Sequence, residues 1–452
     1  MPRTFQWLRH REDASGVLAL ILVVVSLLTG SSQAVGLEVQ QLTSPRGIKA
    51  WLVEEHSVPL VAIRFAFLGG ASQDPEGKEA LAGMMADLLL EGGAGDMSRQ
   101  VFKEKVSRLS TNLTLSCARD GIYGGLESLS KRITPSAELL RLALLSPGFD
   151  AKAIELVRAQ RLSDLALAAN NSEQLSVNRW YAEAFFGHPY ARPVDGTPES
   201  VARIVGDDLK TAHANLLARD VLRVVIVGDI DKGAAVNVLD AIFGDLPAAA
   251  KVAPSMRIEP RQLPAPAIVD KDFPLATATF GLPAPRSDQG NFPAMQVLNH
   301  IIGSGDFDSR LMEEIRVKRG LAYSIQTKLY HDTMVSVMVG GLATKNEAMG
   351  TALGVMKNVF VDIVRNGPTQ SQFDNAKRYL TGSYLLDFDT NAKVAESLLG
   401  FLLEGRGPDY LLVRNQKINA VTLADVRRVA EQVLKPDRLV VAIVGKPSLG
   451  TR

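Results

Sequence analysis

Two stretches of the chain carry nearly the same apolar pattern. VPLVAIRFAFLGG, from Val58, and FPLATATFGLPAP, from Phe273, both read as strands, and they lie 215 positions apart. Gly124-Gly125-Leu126 and Gly340-Gly341-Leu342 lie 216 apart, each closing an alternating strand and opening a helical stretch. Ile154, Glu155, Val157 and Arg158 correspond to Phe373, Asp374, Ala376 and Lys377 at an offset of 219, both sets on long amphipathic helices. Asp208-Leu209 followed by RVVIVGD from Arg223 matches Asp425-Val426 followed by LVVAIVGK from Leu439, at 217. Four correspondences at nearly one offset mark a unit of about 210 residues present twice.

Between the copies stand Pro247, Pro254, Pro260, Pro264 and Pro266. Proline fixes φ and removes a backbone donor, so this stretch reads as an extended linker that joins neither sheet. Within each copy, strands alternate with helices, of which Glu79 to Leu90, Ala137 to Leu145 and Ala151 to Ala169 are the clearest in the first. The expected fold class is α+β: two homologous domains, each a sheet packed against helices. Their expected bounds are 35–246 and 267–452, with the linker at 247–266.

The chain has 452 residues, more than one core usually holds. Its 50 basic and 49 acidic residues leave a formal charge of +1, which gives no pull toward nucleic acid. A single cysteine, Cys117, excludes an intrachain disulfide or a thiolate metal cluster and reads as a small core residue. At the N-terminus, Arg3, Arg9, His10 and Arg11 precede an apolar run from Val17 to Leu28, and Ser32 and Ala34 stand as small residues before Val35. That pattern predicts a signal peptide over 1–34 and a periplasmic protein. The alternative is a membrane tether by an uncleaved N-terminus, although the run falls short of the roughly 20 residues of a spanning helix.

The order strand, strand, helix and closing VVIVGD strand, given twice, resembles the pitrilysin/insulinase family of zinc peptidases over essentially the whole chain after its first segment. In active members the helix after the second strand carries HxxEH, two histidines for zinc and a glutamate for the attacking water. Here Gly83 and Asp87 occupy the histidine positions and Ala86 the glutamate position. Glycine and alanine offer no lone pairs and Asp87 alone cannot hold the ion, so no metal is expected in this chain. The helix matching the family's third ligand offers Glu155 and Asp164. His188, in Gly-His-Pro-Tyr, resembles a structural turn of the family, and no two of the six histidines are paired at ligand spacing.

The second copy keeps more. Ser309-Arg310-Leu311-Met312-Glu313-Glu314-Ile315-Arg316-Val317-Lys318-Arg319-Gly320-Leu321-Ala322-Tyr323 resembles the family's SRLxxxxRxxxGLAY segment. By resemblance, Arg316 and Tyr323 bind substrate and stabilise the oxyanion. From the residues alone, Ser309 to Arg319 is a helix with Leu311 and Ile315 inward, Gly320 its C′ residue, and Ser324 to Leu329 a strand. On that reading Arg316 caps the helix and Tyr323 packs in a core. Gly303, Ser304 and Gly305 resemble a shortened glycine-rich loop of non-catalytic subunits such as that of the mitochondrial processing peptidase; an ordinary turn before a helix is the other reading.

The resemblance implies a non-catalytic subunit whose HxxEH-bearing partner supplies zinc, with peptides as substrates. Against it stand a pseudoenzyme that binds peptides or scaffolds an envelope assembly, and an enzyme using an unrecognised site.

Overall fold

The computed structural model describes residues 38–253, 256–331 and 334–449. The segment expected to be a signal peptide lies outside them. Among the described residues no helix is long and apolar enough to cross a membrane.

The first half contains strands β1 (Gln40–Thr43), β2 (Lys49–Glu54), β3 (Leu60–Leu68), β4 (Asn112–Cys117), β5 (Gly121–Leu129) and β6 (Leu222–Gly228). Its helices are α1 (Leu81–Glu91), α2 (Arg99–Arg108), α3 (Ile133–Leu145), α4 (Ala151–Ala168), α5 (Ser172–Ala184), α6 (Pro198–Arg203), α7 (Gly206–Leu216) and α8 (Lys232–Phe243). The second half contains β7 (Ala267–Asp270), β8 (Leu275–Pro283), β9 (Ile325–His331), β10 (Ser336–Lys345) and β11 (Val440–Gly445). Its helices are α9 (Phe292–Asn299), α10 (Met349–Asn366), α11 (Gln370–Gly382), α12 (Asn391–Leu403), α13 (Tyr410–Ala420) and α14 (Leu423–Val433).

The sheet orders are β1-β2-β6-β3-β5-β4 and β7-β11-β8-β10-β9. Apart from β1 they are the same order, so the repeat in the sequence is a repeat in the fold. The repeated glycines have a packing reason. A Cβ on Gly124 would overlap the ring of Phe65, and one on Gly340 the ring of Phe280, so each copy lays an aromatic ring across a bare neighbouring strand. The repeated aspartates are caps: Asp208 accepts from the Val205 N–H at 3.0 Å, and Asp425 from the Thr422 N–H at 3.0 Å.

Each sheet buries one face against its own helices, around Phe65 and Met84 in the first half and Phe280 and Met356 in the second. The opposite faces are covered by exchange. On the first sheet, Trp51, Ala62 and Val225 pack against Val394 and Leu398 of α12, which belongs to the second half. On the second, Val337, Val339 and Val440 pack with Trp180 and Ala184 of α5, from the first half. Trp180 Nε1 donates to the Val440 carbonyl at 3.1 Å, and Asn391 Nδ2 to that of Leu60 at 3.1 Å.

Three helix expectations shift. The first helix starts at Leu81, because Ala80 takes a left-handed φ of 82° and Asp74 accepts from the Ala82 N–H at 2.9 Å. α3 begins at Ile133 and holds Pro135 in its first turn, where no intrahelical donor is lost. α4 ends at Ala168. The described part of 247–266 contains no helix or strand, and it is tied to both halves: Ala253 N–H donates to Gln73 at 2.7 Å and Ile258 N–H to the Met334 carbonyl at 3.1 Å.

Candidate functional site

The three positions of the expected metal motif lie on α1, and two of them, Gly83 and Asp87, face a cleft of about 400 Å³ lined also by Cys117, Arg161, Asp164 and Asp195. Arg161, on α4, occupies the place between them. Its Nη2 donates to Asp87 at 2.5 Å and its Nη1 to Asp195 at 2.8 Å. A Cβ on Gly83 would lie 3.2 Å from Nη2, so the glycine at the first histidine position makes room for the guanidinium. Ala86, at the glutamate position, is buried in the first core.

The electrostatics follow from burial. Arg161 is 9 % exposed. Desolvation opposes its charge, but the carboxylates of Asp87 and Asp195 outweigh it and hold the guanidinium pKa above its usual value. Burial raises the Asp195 carboxyl, with Arg161 pulling the other way. A cation thus sits here permanently, supplied by the chain itself. No sequence motif announced it; the visible signal was an arginine one turn before Asp164 on the helix expected to carry the third ligand. Of the two carboxylates named there, Asp164 lines the cleft, whereas Glu155 lies outside it, paired with Arg158 at 3.0 Å. Cys117, at the end of edge strand β4, packs half-buried against the first core and also lines the cleft.

Among the described residues no group of three His, Cys, Asp or Glu side chains could hold a metal ion. His188 accepts from the Tyr190 N–H at 3.2 Å and caps a turn, and His213 contacts the Leu144 carbonyl at 2.7 Å. His300 is buried and stacks on Tyr379 at 4.7 Å.

The second-half residues are arranged otherwise. Leu311 and Ile315 are fully buried, as expected, and Gly320 takes a left-handed φ of 60°. The helix between them is not a regular α-helix: Met312–Val317 is wound more widely, and the Lys318 N–H reaches back to the Glu313 carbonyl at 2.9 Å. Tyr323 is 80 % exposed, which removes the core-packing reading. The Arg316 guanidinium lies over its ring at 4.5 Å and over that of exposed Phe307 at 4.8 Å. Two aromatic faces hold the cation in place, and no ion pair engages it among the described residues. Gly303 and Gly305 do not form an open loop. Gly303 sits inside a wide helical turn, His300–Ser304, where a Cβ would meet Thr327 Oγ1 at 2.5 Å; Gly305 ends that turn against His300.

A small cavity lined by Arg119, Asn178, Tyr181, Asp195 and Tyr330 shares Asp195 with the cleft and Tyr330 with a groove between α5 and the second sheet.

These features define a duplicated α+β chain that carries a glycine, an alanine and a salt-bridged aspartate at the expected motif positions of α1. Residues 203–380 match the peptidase M16 inactive domain. The non-peptidase homolog YmxG of Helicobacter pylori is 28% identical over 338 residues, 75% of this chain and 78% of that protein. The mitochondrial-processing peptidase subunit beta of Lentinula edodes is 22% identical over 361 residues, 76% of each chain. A solved peptidase M16 inactive domain from Pseudomonas fluorescens superposes with a TM-score of 0.85 at 25% identity, covering 92% of this chain and 99% of that one. The chain is thus similar to the peptidase M16 inactive domain over residues 203–380 and has the fold of the solved example.

Proposed function

We propose that the chain is the non-catalytic subunit of a two-chain zinc peptidase. A partner of the same fold carries HxxEH and the metal; this chain closes the peptide cavity and presents Arg316 and Tyr323 to the scissile carbonyl. The observation that carries the reading is an asymmetry: Arg161 fills the cleft at the expected motif, while Arg316, half-buried, lies over the exposed Tyr323 ring with no ion pair among the described residues. The subunit named in the Lentinula edodes relative supports a paired assembly. In this reading the mature protein works in the periplasm.

Loss of one oxyanion donor slows turnover by about 100- to 1000-fold. Tyr323→Phe in the reconstituted complex therefore slows peptide hydrolysis by that order without dissociating it. Full activity of a complex carrying both Tyr323→Phe and Arg316→Ala sinks the assignment. A second reading, peptide binding without hydrolysis, draws support from the non-peptidase name of the Helicobacter pylori relative. Co-purification with a zinc-containing partner separates the two.

A further inference from the structure

The two copies differ at one matched place. In the first sheet Arg64 of β3 stands opposite Gly125 of β5. Its guanidinium lies over that glycine, 2.9 Å from where a Cβ would be, and closes on the carboxylate of Glu127. Arg64 shares a sheet face with Ala62 and Ala66, which pack with α12, so its side chain fills the space between sheet and exchanged helix. In the second sheet the register is the same, with Thr279 of β8 opposite Gly341 of β10. There threonine stands for the arginine, and Ala343 for the glutamate. A Cβ on Gly341 would meet nothing nearer than the Ala278 carbonyl oxygen at 3.7 Å.

What remains is a groove of about 320 Å³, floored by Val339, Gly341 and Ala343 and walled by Ser176 of α5 and Gln326 of edge strand β9. Glu173, in the first turn of α5, also lines it. The caps of the exchanged helices, Asn171 and Thr390, lie 219 positions apart, which makes Ala392 the counterpart of Glu173. The acidic group has thus moved from strand to helix, and the internal arginine has gone. Ser172 Oγ lies 2.8 Å from Thr277 Oγ1 and pins that end of α5 to the sheet. Burial alone pushes the Glu173 carboxyl up, and among the described residues no cation pairs with it. Lys328 lines the groove two residues along β9 from Gln326, about 7 Å further down the strand.

We propose that this groove binds the side chain of an arginine or lysine in an extended peptide, its alkyl stem lying across Gly341 and its charged head meeting Glu173. The first copy contains the same complex in internal form, Arg64 across Gly125 to Glu127. The groove shares Tyr330 with the small cavity, which in turn shares Asp195 with the cleft. The site belongs to this chain alone and functions with or without a peptidase partner.

The test uses fluorescein-labelled alanine-serine peptides with one central arginine, or citrulline in its place, titrated by anisotropy against the purified full chain. The arginine peptide binds about 10- to 100-fold tighter, the range of a charge-assisted hydrogen bond. Glu173→Gln lowers it to the citrulline level. Thr279→Arg with Ala343→Glu rebuilds the first copy's ion pair inside the groove and abolishes binding. Equal affinity of the two peptides, no binding of either, or discrimination surviving in Glu173→Gln overturns the proposal. The Tyr323→Phe experiment reads turnover of the complex, so either proposal can fail while the other stands.

Discussion

Replacing Arg161 with alanine tests whether the guanidinium is the structural successor of a metal. The substitution leaves Asp87 and Asp195 facing one cavity without their common cation. Breaking a buried pair by removing one partner costs about 3–5 kcal/mol. The Asp87 side chain is 40% exposed and so partly screened, which lowers the expectation to about 2–4 kcal/mol at pH 8. The pH dependence gives the charge its signature. Losing the cation leaves burial unopposed by Arg161 in raising the Asp195 carboxyl, and stability from a carboxyl so raised is lost as pH rises through its folded-state value. The deficit of Arg161→Ala is therefore smaller at pH 5 than at pH 8. Urea unfolding at the two pH values measures it, with Arg161→Lys as an intermediate case that keeps the charge but cannot fork to two acceptors. A deficit of equal size at both pH values means that Arg161 acts by packing, and a deficit below about 0.5 kcal/mol refutes the role.

Two further outcomes follow from the same region. Gly83→His with Ala86→Glu and Asp87→His rewrites HxxEH, yet the new imidazole at 83 meets Nη2 of Arg161. The triple variant takes up no stoichiometric zinc by elemental analysis until Arg161 is also replaced; zinc bound with Arg161 in place contradicts the geometry. Asp74, buried under the first turn of α1, has its carboxyl pushed up to about 7, first by desolvation. A raised carboxyl pKa means stability that is full below the unfolded value, near pH 4, and lost as pH rises through about 7. Asp74→Asn keeps an acceptor for the Ala82 N–H, so its advantage over the wild type grows across that window and then levels off. A denaturation series with no trend in pH counts against it.

The duplication was legible because its marks are local. Glycine pairs, a capping aspartate and a run of valines keep their spacing whatever surrounds them, and each has a reason inside one sheet or one helix end. The absence of an HxxEH run was legible in the same way. The occupant was not: Arg161 meets Asp87 only because α4 crosses α1, and the pairing of distant helices leaves no periodic trace. Amphipathicity shows which face of α5 and α12 is buried, but not that the buried face meets the other copy's sheet. Tyr323 was legible as a residue and ambiguous as a role, since spacing cannot tell an exposed tyrosine from a packed one. The wide turn at Met312–Val317 escaped for a related reason, because apolar positions at 311 and 315 fit a regular helix equally well.

The exchange of α5 and α12 bears on how such a chain can change over generations. In a simple tandem duplication either copy can drift or be shed without harm to the other. Here a substitution at Val225 is answered by Leu398, in the opposite copy, and Trp180 of the first copy is core to the second. Selection therefore acts on the two halves as one object. The first half cannot be discarded, because the second half, with Arg316 and Tyr323, has no covering for one face of its sheet without α5.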